Sequence, residues 1–146
     1  MEKITKVSVA AFIYHQDKVL IVRRSKKEKF LPGTYEMPGG KLDFGENPLA
    51  GVVRETKEEA GLKVTAITPY HLFSYTTKNN TLYTVEIDFL CRPDSPPGEI
   101  VLSDAHDKFL WVTREELGKI NLTSLMRRAI LKGFKAIPNY KDLLPS

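Results

Sequence analysis

The sequence predicts an α/β domain in which a mixed β-sheet carries helices packed on it. Three observations predict it. Runs rich in β-branched and aromatic residues recur between turn residues. Two segments have helical spacing, one with signals for both of its ends. The 146 residues suffice for one core and one domain, residues 1–146. In order, Val7 to Tyr14 reads as a strand and His15-Gln16-Asp17 as a turn. Lys18 to Arg24 then returns as the second strand of a hairpin. Ser25 to Gly33 is a polar loop, and Thr34 to Met37 a short strand stopped by Pro38-Gly39-Gly40. The helix Asn47 to Ala60 has Asn47 as its cap, Pro48 at the first helical position and Gly61 as a left-handed stop. Leu62 to Tyr75 and Thr81 to Cys91 are strands joined through Lys78-Asn79-Asn80, and Phe109 to Val112 is a short strand. Leu122, Leu125, Met126, Ala129, Ile130 and Phe134 share one face of a C-terminal helix and read as core.

Composition narrows the class. Hydrophobic residues at 42% and charged residues at 27% are ordinary for a globular chain. The one cysteine, Cys91, excludes an internal disulfide and a cysteine-cluster zinc site. No apolar run has the roughly 20 residues of a membrane helix. Met1 to Lys6 is followed by no signal-peptide stretch, so the expected location is the cytoplasm. A net charge of +4 favours anionic small molecules but lies in the ordinary solubility range, so nucleic acid is not the expected partner. Arg127, Arg128, Lys132 and Lys135 read as a solvated face. A monomer and a homodimer both fit the sequence.

The chemistry concentrates on the first helix. Glu55, Glu58 and Glu59 stand at i, i+3 and i+4, which at about 100° per residue places them within one arc. Leu49, Val53 and Ala60 lie roughly opposite and are expected to face the core. Three like charges on one face repel, and a hard divalent ion, Mg²⁺ or Mn²⁺, would turn that repulsion into a binding site. The alternative is a solvated acidic face, with Arg54 paired to Glu58.

The segment Gly40-KLDFG-Glu46-NPLAGVV-Arg54-Glu55-Thr56-Lys57-Glu58-Glu59-Ala60-Gly61-Leu62 resembles the Nudix box, G-x5-E-x7-R-E-U-x-E-E-x-G-U with U aliphatic. All seven fixed positions of residues 40–62 match, and Thr56 departs at the first aliphatic position. The resemblance implies the Nudix fold, an α/β/α sandwich around a mixed sheet, and hydrolysis of a nucleoside diphosphate linked to another moiety. It implies Glu55, Glu58 and Glu59 as the catalytic, metal-binding carboxylates, with the Gly40 carbonyl as a further metal ligand. It implies structural roles for Gly39, Glu46, Arg54 and Gly61.

The general base is open. The family's E-H…W segment is similar to Ser103-Asp104-Ala105-His106-Asp107-Lys108-Phe109-Leu110-Trp111, where Ala105 replaces the glutamate. Asp104 and Asp107 are candidate substitutes, Glu55 is the other, and His106 reads as a loop hydrogen-bonder. Arg23 and Arg24 point to opposite faces of their strand, so one of them is placed to contact phosphate. Glu36, in a run similar to the W-E-x-P-G-G of MutT-like members, is a candidate substrate contact, as is Glu86. Glu86 and Asp88 share a strand face that meets substrate or solvent. Phe30, Tyr35, Phe73 and Tyr75 are candidates to stack on a base. The resemblance favours a MutT-like (deoxy)nucleoside triphosphate pyrophosphohydrolase. An ADP-ribose or nucleoside-diphosphate-sugar pyrophosphatase is the alternative. A non-catalytic sensor or RNA-binding relative typically loses box glutamates, and this chain keeps all of them.

Overall fold

The computed structural model describes residues 2–144. The strands are β1 (Ile4–His15), β2 (Lys18–Arg24), β3 (Tyr35–Glu36), β4 (Gly39–Lys41), β5 (Val64–Thr77), β6 (Leu82–Pro93) and β7 (His106–Val112). The α-helices are α1 (Pro48–Ala60) and α2 (Ser124–Ala136), and Glu115–Lys119 and Ile137–Tyr140 are short 3-10 helices. The sheet runs β3-β2-β1-β6-β5, with β4 paired to β1 and β7 to β2. It is mixed: β1 and β6 are parallel, and the other pairs are antiparallel. The two hairpin turns need left-handed backbone, which Gln16 and Asp17 supply in one and Lys78, Asn79 and Asn80 in the other.

Alternate residues of β1 face opposite sides. Val9, Ala11 and Ile13 join Val52 and Ala60 of α1, while Ala10 and Phe12 join Met126, Ala129 and Ile130 of α2. This is the expected α/β/α layering. The α1 side chains facing the core differ from the expectation. Val52, Thr56 and Ala60 are fully buried, whereas Leu49 is 44% exposed and Val53 half-buried. The helix is turned so that Glu55 sinks against Gly40. Thr56 is tolerated inside because its hydroxyl donates to the Val52 carbonyl at 2.8 Å.

β3 ends just before the Pro38-Gly39-Gly40 run, as expected, but the two glycines then open a further strand. Gly39–Lys41 forms a strand whose residues pair with Ser8, Val9 and Ala10. Gly39 makes the close approach possible: a Cβ there would collide with the Val9 carbonyl oxygen and lie 2.8 Å from the Ala10 Cα.

The α1 ends follow the expected chemistry. The Asn47 side chain accepts from the Leu49 N–H at 2.8 Å, and Gly61 adopts φ 71°. Asn47→Ala is expected to cost about 1 kcal/mol. In a thermal melt that is a drop of roughly 3 °C, and an unchanged midpoint would refute the cap.

Candidate active site

A cleft of about 760 Å³ opens between β4, the 25–30 loop, the end of β5 and the start of β6. Gly39, Gly40 and Glu59 line one wall, and Arg24 and Glu36 another. Glu86 also lines it. A smaller cavity of about 240 Å³ adjoins it, sharing Phe30, Tyr75 and Glu86 and adding Tyr35 and Phe73. All four aromatic candidates for base stacking therefore line one or both cavities.

The box glutamates occupy three environments along one helix. Glu55 is 9% exposed, and a Cβ on Gly40 would collide with its carboxylate, so the two are in close contact. Burial raises the Glu55 pKa, against the pull of Arg54. Glu58 is exposed and meets Arg54 Nη1 at 3.1 Å. Glu59 is half-buried, accepts a hydrogen bond from the Ser103 hydroxyl and lies 3.3 Å from His106 Nδ1. Burial alone would raise its pKa, but His106 and Ser103 overcome this and hold it below the usual value.

Arg54 organises the loop that leads into the helix. Its guanidinium grips Glu46 with two bonds of 2.7 and 2.8 Å and also reaches Glu55 at 3.0 Å and the Lys41 carbonyl at 3.2 Å. Glu46 further accepts from the Asp43 N–H. Arg54 first, and then that N–H, lower the Glu46 pKa from 4.5 to about 2. A carboxyl depressed in the folded state stabilises the fold above its unfolded pKa and loses that contribution as it is protonated. Thermal stability is therefore expected to fall as pH drops from about 4.5 towards 2. Glu46→Gln should flatten that limb of the Tm–pH curve, and an identical acid limb in the variant would contradict the assignment.

His106 opens β7 rather than lying in a loop, and it is 5% exposed. Its Nε2 sits 2.9 Å from Glu36, which also meets Arg24 at 3.3 Å. Burial pushes the imidazolium pKa down, but Glu36 and Glu59 outweigh it and push the pKa up to about 9. Arg24, Glu36, His106 and Glu59 thus form a continuous polar chain from β2 to α1. No spacing in the sequence could have found it, because it depends on β2 pairing with β3 and β7.

Of the two arginines, Arg24 lines the cleft, while Arg23 pairs with Asp107 at 2.8 Å, outside the lining residues. Asp104 and Asp107 are exposed and lie outside the lining, whereas Ala105 lies within it. Asp88 faces neither solvent nor the cleft lining: it is fully buried. Lys6, Ser8, Lys41 and Thr84 also line the cleft, and only the β1–β6 and β1–β4 registers bring them there. In the second basic group, Arg127 bonds the carbonyls of Leu117 and Ile120, while Arg128, Lys132 and Lys135 are exposed.

Glu55, Glu58, Glu59 and the Gly40 carbonyl are all hard oxygen donors, the type that Mg²⁺ and Mn²⁺ prefer. Among the described residues, no three acidic, histidine or cysteine side chains converge into a ready ligand cluster. Arg54 and His106 instead compensate the carboxylates from two sides. The donor set therefore fits a divalent ion, provided that ion takes over the compensation.

Comparison with known proteins identifies the family. A family model described as NUDIX domain matches residues 4–132. The chain is 32% identical over 114 residues to a MutT-like protein of Streptomyces ambofaciens, covering 77% of this chain and 67% of that one. It is 35% identical over 67 residues to the 8-oxo-dGTP diphosphatase of Escherichia coli K12, covering 45% of this chain and 48% of that enzyme. The solved MutT protein from Methanosarcina mazei Go1 superposes with a TM-score of 0.75 at 25% identity, covering 94% of this chain and 98% of its own. The chain belongs to the Nudix hydrolase family. No helix among the described residues is long and apolar enough to cross a membrane.

Proposed function

We propose that this protein is a Mg²⁺-dependent pyrophosphohydrolase that cleaves a (deoxy)nucleoside triphosphate to a nucleoside monophosphate and pyrophosphate. One observation carries the reading: Glu59, from the three-glutamate face of α1, and Gly40 of β4 line a cleft that combines basic and aromatic residues. The similarity to a named 8-oxo-dGTP diphosphatase supports the choice of a triphosphate. A small nucleotide in the cytoplasm is the expected setting.

Glu55, Glu58, Glu59 and the Gly40 carbonyl are the groups that would hold the metal. When bound, the ion supplies neutralisation of the charge that builds on the phosphates and a lowered pKa for bound water. The protein's own residues do the rest. Arg24 and the cleft lysines Lys6, Lys29 and Lys41 bind and orient the phosphates. Phe73 and Tyr75, stacked with centroids 6.0 Å apart, flank the base. Glu55, ionised and made more basic by its burial, takes the proton of the attacking water as the water oxygen bonds to phosphorus and the P–O bond to the leaving pyrophosphate breaks. The test is phosphate release from nucleoside triphosphates, 8-oxo-dGTP, ADP-ribose and nucleotide sugars with excess Mg²⁺ and coupling enzymes. A preference within the triphosphates is expected. A preference for ADP-ribose would replace the substrate and keep the mechanism, and silence across the panel would overturn the reading.

A further inference from the structure

On the α2 side of the sheet, β6 presents Thr84, Glu86, Asp88 and Leu90 in succession. Glu86 is 8% exposed and Asp88 fully buried. Glu86 Oε2 and both Asp88 oxygens accept no hydrogen bond from the protein. The ion pairs around the cleft, Arg24 with Glu28 and Glu36 and His106 with Glu36 and Glu59, leave both residues out. Buried carboxyls without donors are costly, and the arrangement asks for a partner that the chain does not supply. Burial first, then the neighbouring Glu86, raise the Asp88 pKa and favour its protonated form. Glu86 lines both cavities, and its buried Oε2 has no partner within the protein.

The surroundings indicate what that partner is. Phe73 stands directly opposite Glu86 in the β5–β6 register, and Tyr75 lines both cavities with it. An acceptor beside aromatic faces suits a nucleobase, which is read by stacking and by hydrogen bonds to its edge. A phosphate would be repelled by the same carboxylate. We propose that Glu86 selects the base of the nucleotide by accepting N–H donors from the base's edge. A carboxylate offers acceptors only, so it matches two adjacent donors. The guanine edge, with N1–H beside the N2 amino group, provides them. Uracil and thymine offer one N–H between two carbonyls, and adenine and cytosine an amino group beside a ring acceptor. Guanine-type bases therefore rank first. The inference rests on the reading of the cleft as a nucleotide site.

The test is metal-free calorimetric binding of GMP, AMP, CMP and UMP, which leaves the hydrolytic step out. The wild type is expected to bind GMP at least about tenfold more tightly than UMP. Glu86→Gln, which replaces an acceptor by a donor, is expected to erase that preference and to leave UMP binding nearly unchanged. A wild type without base ranking, an unchanged ranking in the variant, or equal losses for all four nucleotides would overturn the inference. Should the variant not fold, the infrared difference spectrum of the wild type decides. GMP, and not UMP, should shift the carboxylate stretches of the wild type, and unmoved bands overturn the inference. Base ranking without turnover of any triphosphate would sink the hydrolase reading alone. Turnover with a ranking indifferent to Glu86→Gln would sink this inference alone.

Discussion

Glu59→Gln is expected to lower kcat by more than about a hundredfold at saturating Mg²⁺. The substitution removes the charge that a divalent ion would need, while the amide oxygen can still accept from the Ser103 hydroxyl. The half-buried position and the unchanged side-chain volume should keep the fold. Glu58→Gln should show the same loss with even less effect on stability, because Glu58 is exposed and bonds only Arg54. The comparison of kcat with the thermal midpoint separates the two effects. Near wild-type turnover in either variant would remove the box glutamates from the mechanism.

The second large effect is on folding. Gly39→Ala is expected to destabilise the protein by about 3 kcal/mol or more, because the added methyl group meets the backbone of Val9 and Ala10. Backbone cannot step aside as a flexible side chain can. For a chain of this length the melting temperature should fall by roughly 10 °C. Gly133→Ala should also destabilise, although alanine is the better helix former. Its Cβ would run into the ring of Phe12, which is fully buried and held edge-on between Tyr70 and Phe134. Gly118→Ala, which meets nothing, is the control and should stay within about 0.5 kcal/mol. Equal midpoints for Gly39→Ala and Gly118→Ala would disprove the close approach of β4 to β1.

The sequence by itself determined what local chemistry determines. The α1 helix begins after Asn47 and ends at Gly61 because cap and stop act within one turn of the chain. Both hairpin turns sit where their turn residues stand. The three glutamates fall on one arc because helical periodicity is a property of the helix alone. Whatever depends on contact between distant segments was decided by the tertiary structure. Gly39–Lys41 is a strand only because β1 offers it an edge. The α1 face that is buried is set by the contact of Glu55 with Gly40, and so it differs from the face that Leu49 and Val53 suggest. Arg24 rather than Arg23 reaches the cleft, and His106 joins Glu36 to Glu59, through pairings of β2 with β3 and β7. The burial of Asp88 and the unpartnered Glu86 follow from β6 lying parallel to β1 in the middle of the sheet. An alternating strand pattern shows that two faces exist, but the layers packed on each face decide which one is dry.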